Sequence, residues 1–383
     1  MNSKNKKIIK ERMFTMNLKN KKIFSRIAAG VMTVAMAITL LPGTMKTVNA
    51  AAVSKTEATV DVILYKRAKV YAPNTTFDFT VTNLTADEAK VTNKGDLTPP
   101  FKEAPAGGVK AGTTTLTPAE GDLNTTSIEG TLTFTFDASK FTDIGTYRYK
   151  VQQNNNGYEG IKYDEGVRYL DVIVAREGES VYIENAYLKK EGDSAKDEAF
   201  VNTYGVNKPD PDHPTNPPVP DGKVNDLVIS KNVTGNYGDR NKNFTFEITI
   251  EGAEGEWYNL EGQQAIKKGT PTKITLRHGQ SVKIYGLTEG DKYKIEETAE
   301  TGYTTKFETK VGETVIGGGA VDSNVATGKI TEGDSLQTQE VAFTNNRTGS
   351  ATGFVSSYGP YALMVVLAGA VAFVLFRKRR AEY

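Results

Sequence analysis

Residues 244–250 read Phe244-Thr245-Phe246-Glu247-Ile248-Thr249-Ile250, an unbroken alternation of apolar and polar side chains. Side chains on an extended strand point to opposite faces in turn, so such a run makes a strand with one buried face. The same period of two recurs at Val282-x-Ile284, Tyr293-x-Ile295 and Leu227-x-Ile229 around it. Upstream it returns at Phe77-x-Phe79-x-Val81, Leu132-x-Phe134-x-Phe136, Tyr147-x-Tyr149-x-Val151 and Leu170-x-Val172-x-Val174. Thr and Gly are abundant between the runs, and neither half shows an amphipathic helical pattern. Many short strands with frequent turn signals predict an all-β chain of antiparallel sandwiches.

Between the two groups of strands, residues 207–220 hold Pro209, Pro211, Pro214, Pro217, Pro218 and Pro220. A stretch this rich in proline supports neither a helix nor a sheet and acts as an extended spacer. The expected organisation is a domain over 52–206, a linker over 207–222 and a second domain over 223–348.

The two ends carry a different signal. Basic residues from Lys4 to Arg26 precede an apolar run over 27–41, a Pro42-Gly43 break and Val48-Asn49-Ala50, the pattern of a signal peptide over 1–50. Residues 361–376 are almost wholly apolar and are followed by Arg377, Lys378, Arg379 and Arg380, which predicts a membrane-spanning segment with its charges inside. Just before it stands Ser350-Ala351-Thr352-Gly353, so that 350–383 resembles a sortase cell-wall sorting signal. The usual proline of that motif is replaced by Ala351. The resemblance implies cleavage between Thr352 and Gly353 and transfer of the Thr352 carbonyl to an amine.

The chain has 47 basic and 46 acidic residues. Residues 1–50 hold 10 basic and 1 acidic, and 353–383 hold 4 and 1. The remaining 33 basic and 44 acidic residues leave 51–352 at a net charge of −11. An acidic surface argues against nucleic acid as a partner. There is no cysteine and there are two histidines, His213 in the linker and His278 in an expected turn. Those numbers leave little from which to build a metal site or a nucleophile–histidine pair. No cofactor is expected, nor an enzyme acting on other molecules.

Each half opens with a strand carrying a lysine on its apolar face. Lys66 shares parity with Val60, Val62 and Leu64, and Lys231 with Leu227, Ile229 and Val233. Each half closes on Phe-x-Asn, at Phe200–Asn202 and Phe343–Asn345. Midway lies an aromatic strand, ending at Gln153 in the first half and Glu297 in the second. Burial lowers a lysine pKa and raises that of a carboxyl. A neutral amine held against an asparagine amide, with a protonated carboxyl to polarise the carbonyl, can form an amide bond and release ammonia.

These features resemble the Gram-positive pilins with isopeptide-linked Ig-like domains, the two-domain streptococcal shaft type above all, over essentially all of 55–383. Gly160–Asp164 and Arg168–Val172 belong to the same likeness. The resemblance implies two Ig-like sandwiches in tandem and places Lys231, Glu297 and Asn345 on the family's reacting triad, with Glu297 catalytic. It places Lys66 and Asn202 on the first domain's reacting pair, where Gln153 stands at the family's glutamate. Asp61 and Asp171 are then the alternative acids. It also implies that Lys196, with Lys189 and Lys190 nearby, is the lysine through which sortase joins subunits. The implied function is a structural subunit of a covalent surface pilus, with sortase, identical subunits, cell-wall peptidoglycan and a host surface ligand as partners. The alternative is an adhesin of the same fold anchored to the wall singly. Trp257 and Tyr258 read either as a sugar-binding patch or as packing.

Overall fold

The structure, a computed structural model, describes residues 53–92, 100–191, 196–197, 199–210, 212, 216–349 and 364. The signal peptide and the sorting signal with its apolar segment lie outside the described residues. No helix among the described residues is long and apolar enough to cross a membrane.

The alternating runs form strands, and the strands form two sandwiches. In the first, one sheet runs in the spatial order Val109–Ala111, Ser127–Phe136, Glu57–Lys66, Ala199–Tyr204, Ile161–Lys162. The facing sheet runs Ser180–Lys190, Arg168–Glu177, Gly145–Gln153, Phe79–Asn83, with Phe101–Lys102 added beside Gly145–Gln153. Their apolar faces meet in a core that includes Val62, Leu64, Phe134, Tyr149, Leu170 and Phe200. In the second sandwich a seven-stranded sheet centred on Val224–Thr234 and Thr338–Asn346 faces a four-stranded sheet, Thr272–Leu276, Phe244–Glu251, Lys292–Glu297 and Val325–Lys329. Phe244, Phe246, Ile248 and Ile250 are all fully buried there, as their period requires. Each such side chain contributes about 1.5–3 kcal/mol on leaving water.

The opening and closing strands of each domain lie side by side and parallel. Glu57–Lys66 pairs with Ala199–Tyr204, and Val224–Thr234 with Thr338–Asn346. Parallel neighbours cannot be joined by a tight turn, so the rest of each domain is looped between them.

One element runs against the expectation of no helix. Ala86–Val91 is a short helix in the first domain, started by a capping box in which Thr85 and Glu88 satisfy each other's backbone N–H groups. The signal Thr85-x-x-Glu88 was present in the sequence, but six residues are too few to show a helical period.

The two sandwiches touch closely. Arg67, just past the first opening strand, grips the buried Asp226 at 2.6 Å and reaches the Val224 carbonyl at 3.3 Å. Lys283 completes the cluster, 2.9 Å from Asp226. Lys69 pairs with Glu261 at 2.9 Å, and Asn259 donates to the Lys69 carbonyl. Trp257 packs edge-on against Tyr71 across the junction, centroids 5.6 Å apart, so its role is packing. At Gly160, φ is +80° and a Cβ would lie 2.9 Å from Tyr204 and 3.1 Å from Val224, so only glycine allows this approach.

Candidate functional site

The parallel register decides which side chains meet. Lys231 lies opposite Phe343, and Val233 opposite Asn345. On the facing sheet Glu297 pairs with Phe246. Lys231 Nζ sits 2.8 Å from both Glu297 carboxylate oxygens, and Asn345 Nδ2 donates to Glu297 Oε1. Lys231 is 2 % exposed, while Glu297 and Asn345 are fully buried. The ammonium lies 4.3 Å from the Phe244 ring centroid and 5.7 Å from that of Phe246. All three residues expected to react are therefore together in an apolar core, walled by aromatic rings.

Their protonation follows from that wall. Burial pushes the Lys231 amine down to about 8, against the pull of the Glu297 charge. Burial pushes the Glu297 carboxyl up, against Lys231 and the Asn345 hydrogen bond. Both shifts favour the neutral partners, so one proton serves the pair and can rest on the carboxyl, leaving a free amine. Asn345 Oδ1 is buried without a hydrogen-bond partner, the one such side-chain atom in the second domain among the described residues. A buried carbonyl oxygen left unpaired is costly. Here it belongs to the group that a nucleophile would attack.

The first domain has the same frame without the same contents. Val62 lies opposite Phe200 and Leu64 opposite Asn202. Gln153 pairs with Phe79, as Glu297 does with Phe246. The position equivalent to Lys231 is thus Val62, and Lys66 lies four residues further along the strand. Lys66 is buried as expected, but its Nζ donates to the carbonyls of Asp122, Thr125 and Arg67. Burial lowers its pKa to about 8. Gln153 and Asn202 exchange hydrogen bonds at 2.6 and 3.2 Å, amide to amide. The pairing of Lys66 with Asn202 is therefore corrected: shared parity put both inward, but the register separates them along the strand.

Neither alternative acid stands at this place. Asp61 is exposed on the opposite face of its strand, and Asp171 is held by Arg148 at 2.6 and 2.7 Å. What binds the closing strand in the first domain is a clamp that parity alone did not reveal. Asp164 accepts two hydrogen bonds from Arg168, and accepts from Val201 N while its own N–H donates to Asn202 Oδ1. Arg168 also holds Asp197 at 2.7 Å, beside Lys196.

The three candidate linkage lysines differ in their surroundings. Lys189 is buried 3.9 Å from Asp171, and Lys190 stands 3.9 Å from Asp197. Lys196 is exposed, paired through a backbone bridge with Lys189, its ammonium 5.2 Å from the Tyr187 ring centroid. Thr352 and Gly353 lie outside the described residues.

A second buried group of carboxyls lies at the junction. Glu256 accepts hydrogen bonds from Tyr258, from Ala253 N and, across the junction, from Tyr204. Asp291 accepts from Thr288 N and Thr288 Oγ1. Burial, and next the neighbouring Glu256, push the Asp291 carboxyl up to about 7 from an ordinary 3.8. The folded protein therefore holds a proton that the unfolded chain releases. That contribution is complete below about pH 4 and is lost as pH rises towards 7. Asp291→Asn is expected to raise the melting temperature at pH 8 by a few degrees and to flatten its fall between pH 4 and 8. Thermal scans across that range check it, and an unchanged slope would contradict it.

The chain has relatives among known proteins. Residues 225–347 match the family described as "Domain of unknown function (DUF7601)". The chain is 26 % identical over 285 residues to a pilin of Streptococcus pyogenes serotype M1, covering 68 % of this chain and 74 % of that one. It is 30 % identical over 126 residues to the pilus tip adhesin Cpa of Streptococcus pyogenes, of whose length it spans only 16 %. Among solved structures, the major pilin of Streptococcus pyogenes aligns with 78 % of this chain at 20 % identity and a TM-score of 0.49. The major pilin T3.2 of the same species aligns with 77 % at 23 % identity and the same score. By sequence, the chain is a homologue of the streptococcal pilins.

Proposed function

We propose that this chain is a structural subunit of a cell-surface pilus, cross-linked within its second domain by an amide bond between Lys231 and Asn345. The observation that carries the cross-link is the buried contact of Lys231, Glu297 and Asn345. With the Asn345 amide turned so that Oδ1 rather than Nδ2 faces the protonated Glu297, Glu297 steadies the oxygen while the neutral Lys231 amine attacks Asn345 Cγ. Glu297 takes a proton from the attacking nitrogen and returns one to the departing amide nitrogen. The C–N bond of the side-chain amide breaks, ammonia leaves, and Glu297 ends as it began. This is a single turnover on the chain itself, helped by fixed proximity. No activity on another molecule is proposed.

Assembly is the second part of the proposal. A leader over 1–50, the Thr352-Gly353 pair and the apolar segment with its basic tail fit export, a membrane-held precursor and sortase cleavage after Thr352. The acyl group then passes to a lysine of the next subunit or to peptidoglycan. Lys196 is the proposed acceptor, because it is exposed where Lys189 is buried and Lys190 stands beside a carboxylate. Coverage of about two thirds of the chain by a pilin favours the fibre over the singly anchored adhesin. A host surface ligand stays within the proposal without an assigned site.

Lys196→Ala is expected to abolish the ladder of high-mass species seen in wall extracts, leaving single subunits attached. Thr352→Ala is expected to leave the protein extractable by detergent alone. A ladder that persists in Lys196→Ala, or Thr352→Ala protein released only by wall-degrading enzymes, would overturn the respective step.

A further inference from the structure

The proline-rich stretch does more than separate two domains. Its two ends are tied to each other. Asn207 N donates to the Val219 carbonyl at 2.8 Å, Asp221 N donates to the Gly205 carbonyl at 3.2 Å, and Val206 bridges Pro220. Gly205, at φ +63°, packs directly against Val224. The chain therefore leaves the first domain at Tyr204, makes an excursion, and returns to the place it left before entering the second domain.

The assembly proposed above fixes where tension acts, and this inference rests on it. Load enters at Lys196 and leaves past Asn345. From Lys196 it follows the closing strand Ala199–Tyr204, then 205–223, then the opening strand Val224–Thr234 as far as Lys231. There the amide bond carries it straight to Asn345. Every link on this path is covalent, and its slack among the described residues is the excursion between the tied ends. The remainder of the first domain lies off the path. Its opening strand bears load only through the junction, where Arg67 holds Asp226 and Lys69 holds Glu261; on the closing strand Tyr204 adds its hydrogen bond to Glu256. A domain off the load path has no need of a covalent strut, which accounts for Val62 and Gln153 where a lysine and a glutamate would be required.

We infer that the junction is a force-released clasp, and that the chain between its tied ends, Gly205 and Asp221, is slack that the clasp holds back. Tension pulls Tyr204 from Val224, and the ion pairs and hydrogen bonds of the junction resist it together. When they part, the sixteen residue steps from 205 to 221 become available, about 50 Å of contour at roughly 3.3 Å per residue. Neither sandwich needs to unfold. On release of tension the same contacts reform, so the subunit lengthens and recovers.

The chain contains no cysteine, so thiols introduced by Lys196→Cys and Gly349→Cys are unique handles for single-molecule pulling. The expected trace has one early, reversible step of about 50 Å and no unfolding of either sandwich before the attachments fail. Deleting residues 208–218 should shorten that step by about 36 Å, eleven residues at roughly 3.3 Å each. Arg67→Ala should lower its force and leave its length unchanged. Absence of the step, a first step several times longer, or a length indifferent to the deletion would each overturn the clasp. The handles impose the load whatever sortase does. A polymer found linked at another lysine would therefore overturn the load path alone, and a missing step the clasp alone.

Discussion

Glu297→Ala is expected to melt far below the parent protein and to lose resistance to protease in the second domain. Two effects add. The proposed cross-link would close a loop from residue 231 to residue 345, and a bridge across about 100 residues stabilises by roughly 4–5 kcal/mol through the unfolded state. Without Glu297 the bond does not form, and Lys231 is left buried among Phe244, Phe246 and Phe343 with no carboxylate. Breaking a buried pair in this way costs about 3–5 kcal/mol. Asn345→Ala loses the same bond but keeps the Lys231–Glu297 contact, so it should fall between the two. At about 4 °C per kcal/mol for a domain of this size, Asn345→Ala should melt roughly 15–20 °C below the parent. Calorimetry of the three proteins checks the order. Asn345→Ala melting together with the parent would mean that the parent carries no cross-link, whatever Glu297→Ala does.

The second large effect concerns the first domain, where a bond can be installed. Gln153→Glu alone should not create one, because the nearest inward lysine, Lys66, spends its amine on the carbonyls of Asp122 and Thr125. Val62→Lys combined with Gln153→Glu reproduces the second domain's register: lysine opposite the phenylalanine of Phe-x-Asn, acid opposite Phe79, asparagine two residues on. The double variant should lose one ammonia more than the parent and gain roughly 4–5 kcal/mol in the first domain. Should Gln153→Glu alone lose the extra ammonia, Lys66 is the nucleophile after all, and the register argument fails. Val62→Lys alone is the control. A lysine buried there beside two amides has no carboxylate and is expected to destabilise the domain.

How much of this was legible in the sequence can be traced residue by residue. The period of two in 244–250 placed Phe244, Phe246, Ile248 and Ile250 inward, and they are buried. The same parity put Lys231, Glu297 and Asn345 on one face, and they meet. Parity says nothing about position along a strand, however. It therefore treated Lys66 and Lys231 alike, although one lies opposite Tyr204 and the other opposite Phe343. Register between parallel strands depends on everything folded between them, more than 130 residues in the first domain, and no local pattern reports it. The clamp of Asp164 and Arg168 was hidden for a related reason. Its members come from a loop and a neighbouring strand, and only the fold brings them to Asn202. The junction contacts Arg67–Asp226 and Tyr204–Glu256 join residues with no periodic relation at all.

Whether Lys231 and Asn345 are joined by a covalent bond is decided by mass. Protein lacking the leader and the apolar tail, folded and then fully denatured, should weigh one ammonia less than its sequence requires. Digestion should yield a branched peptide joining Lys231 to Asn345, absent from Glu297→Ala. A mass equal to the sequence in a correctly folded sample, with Lys231 and Asn345 recovered in separate peptides, would contradict the account.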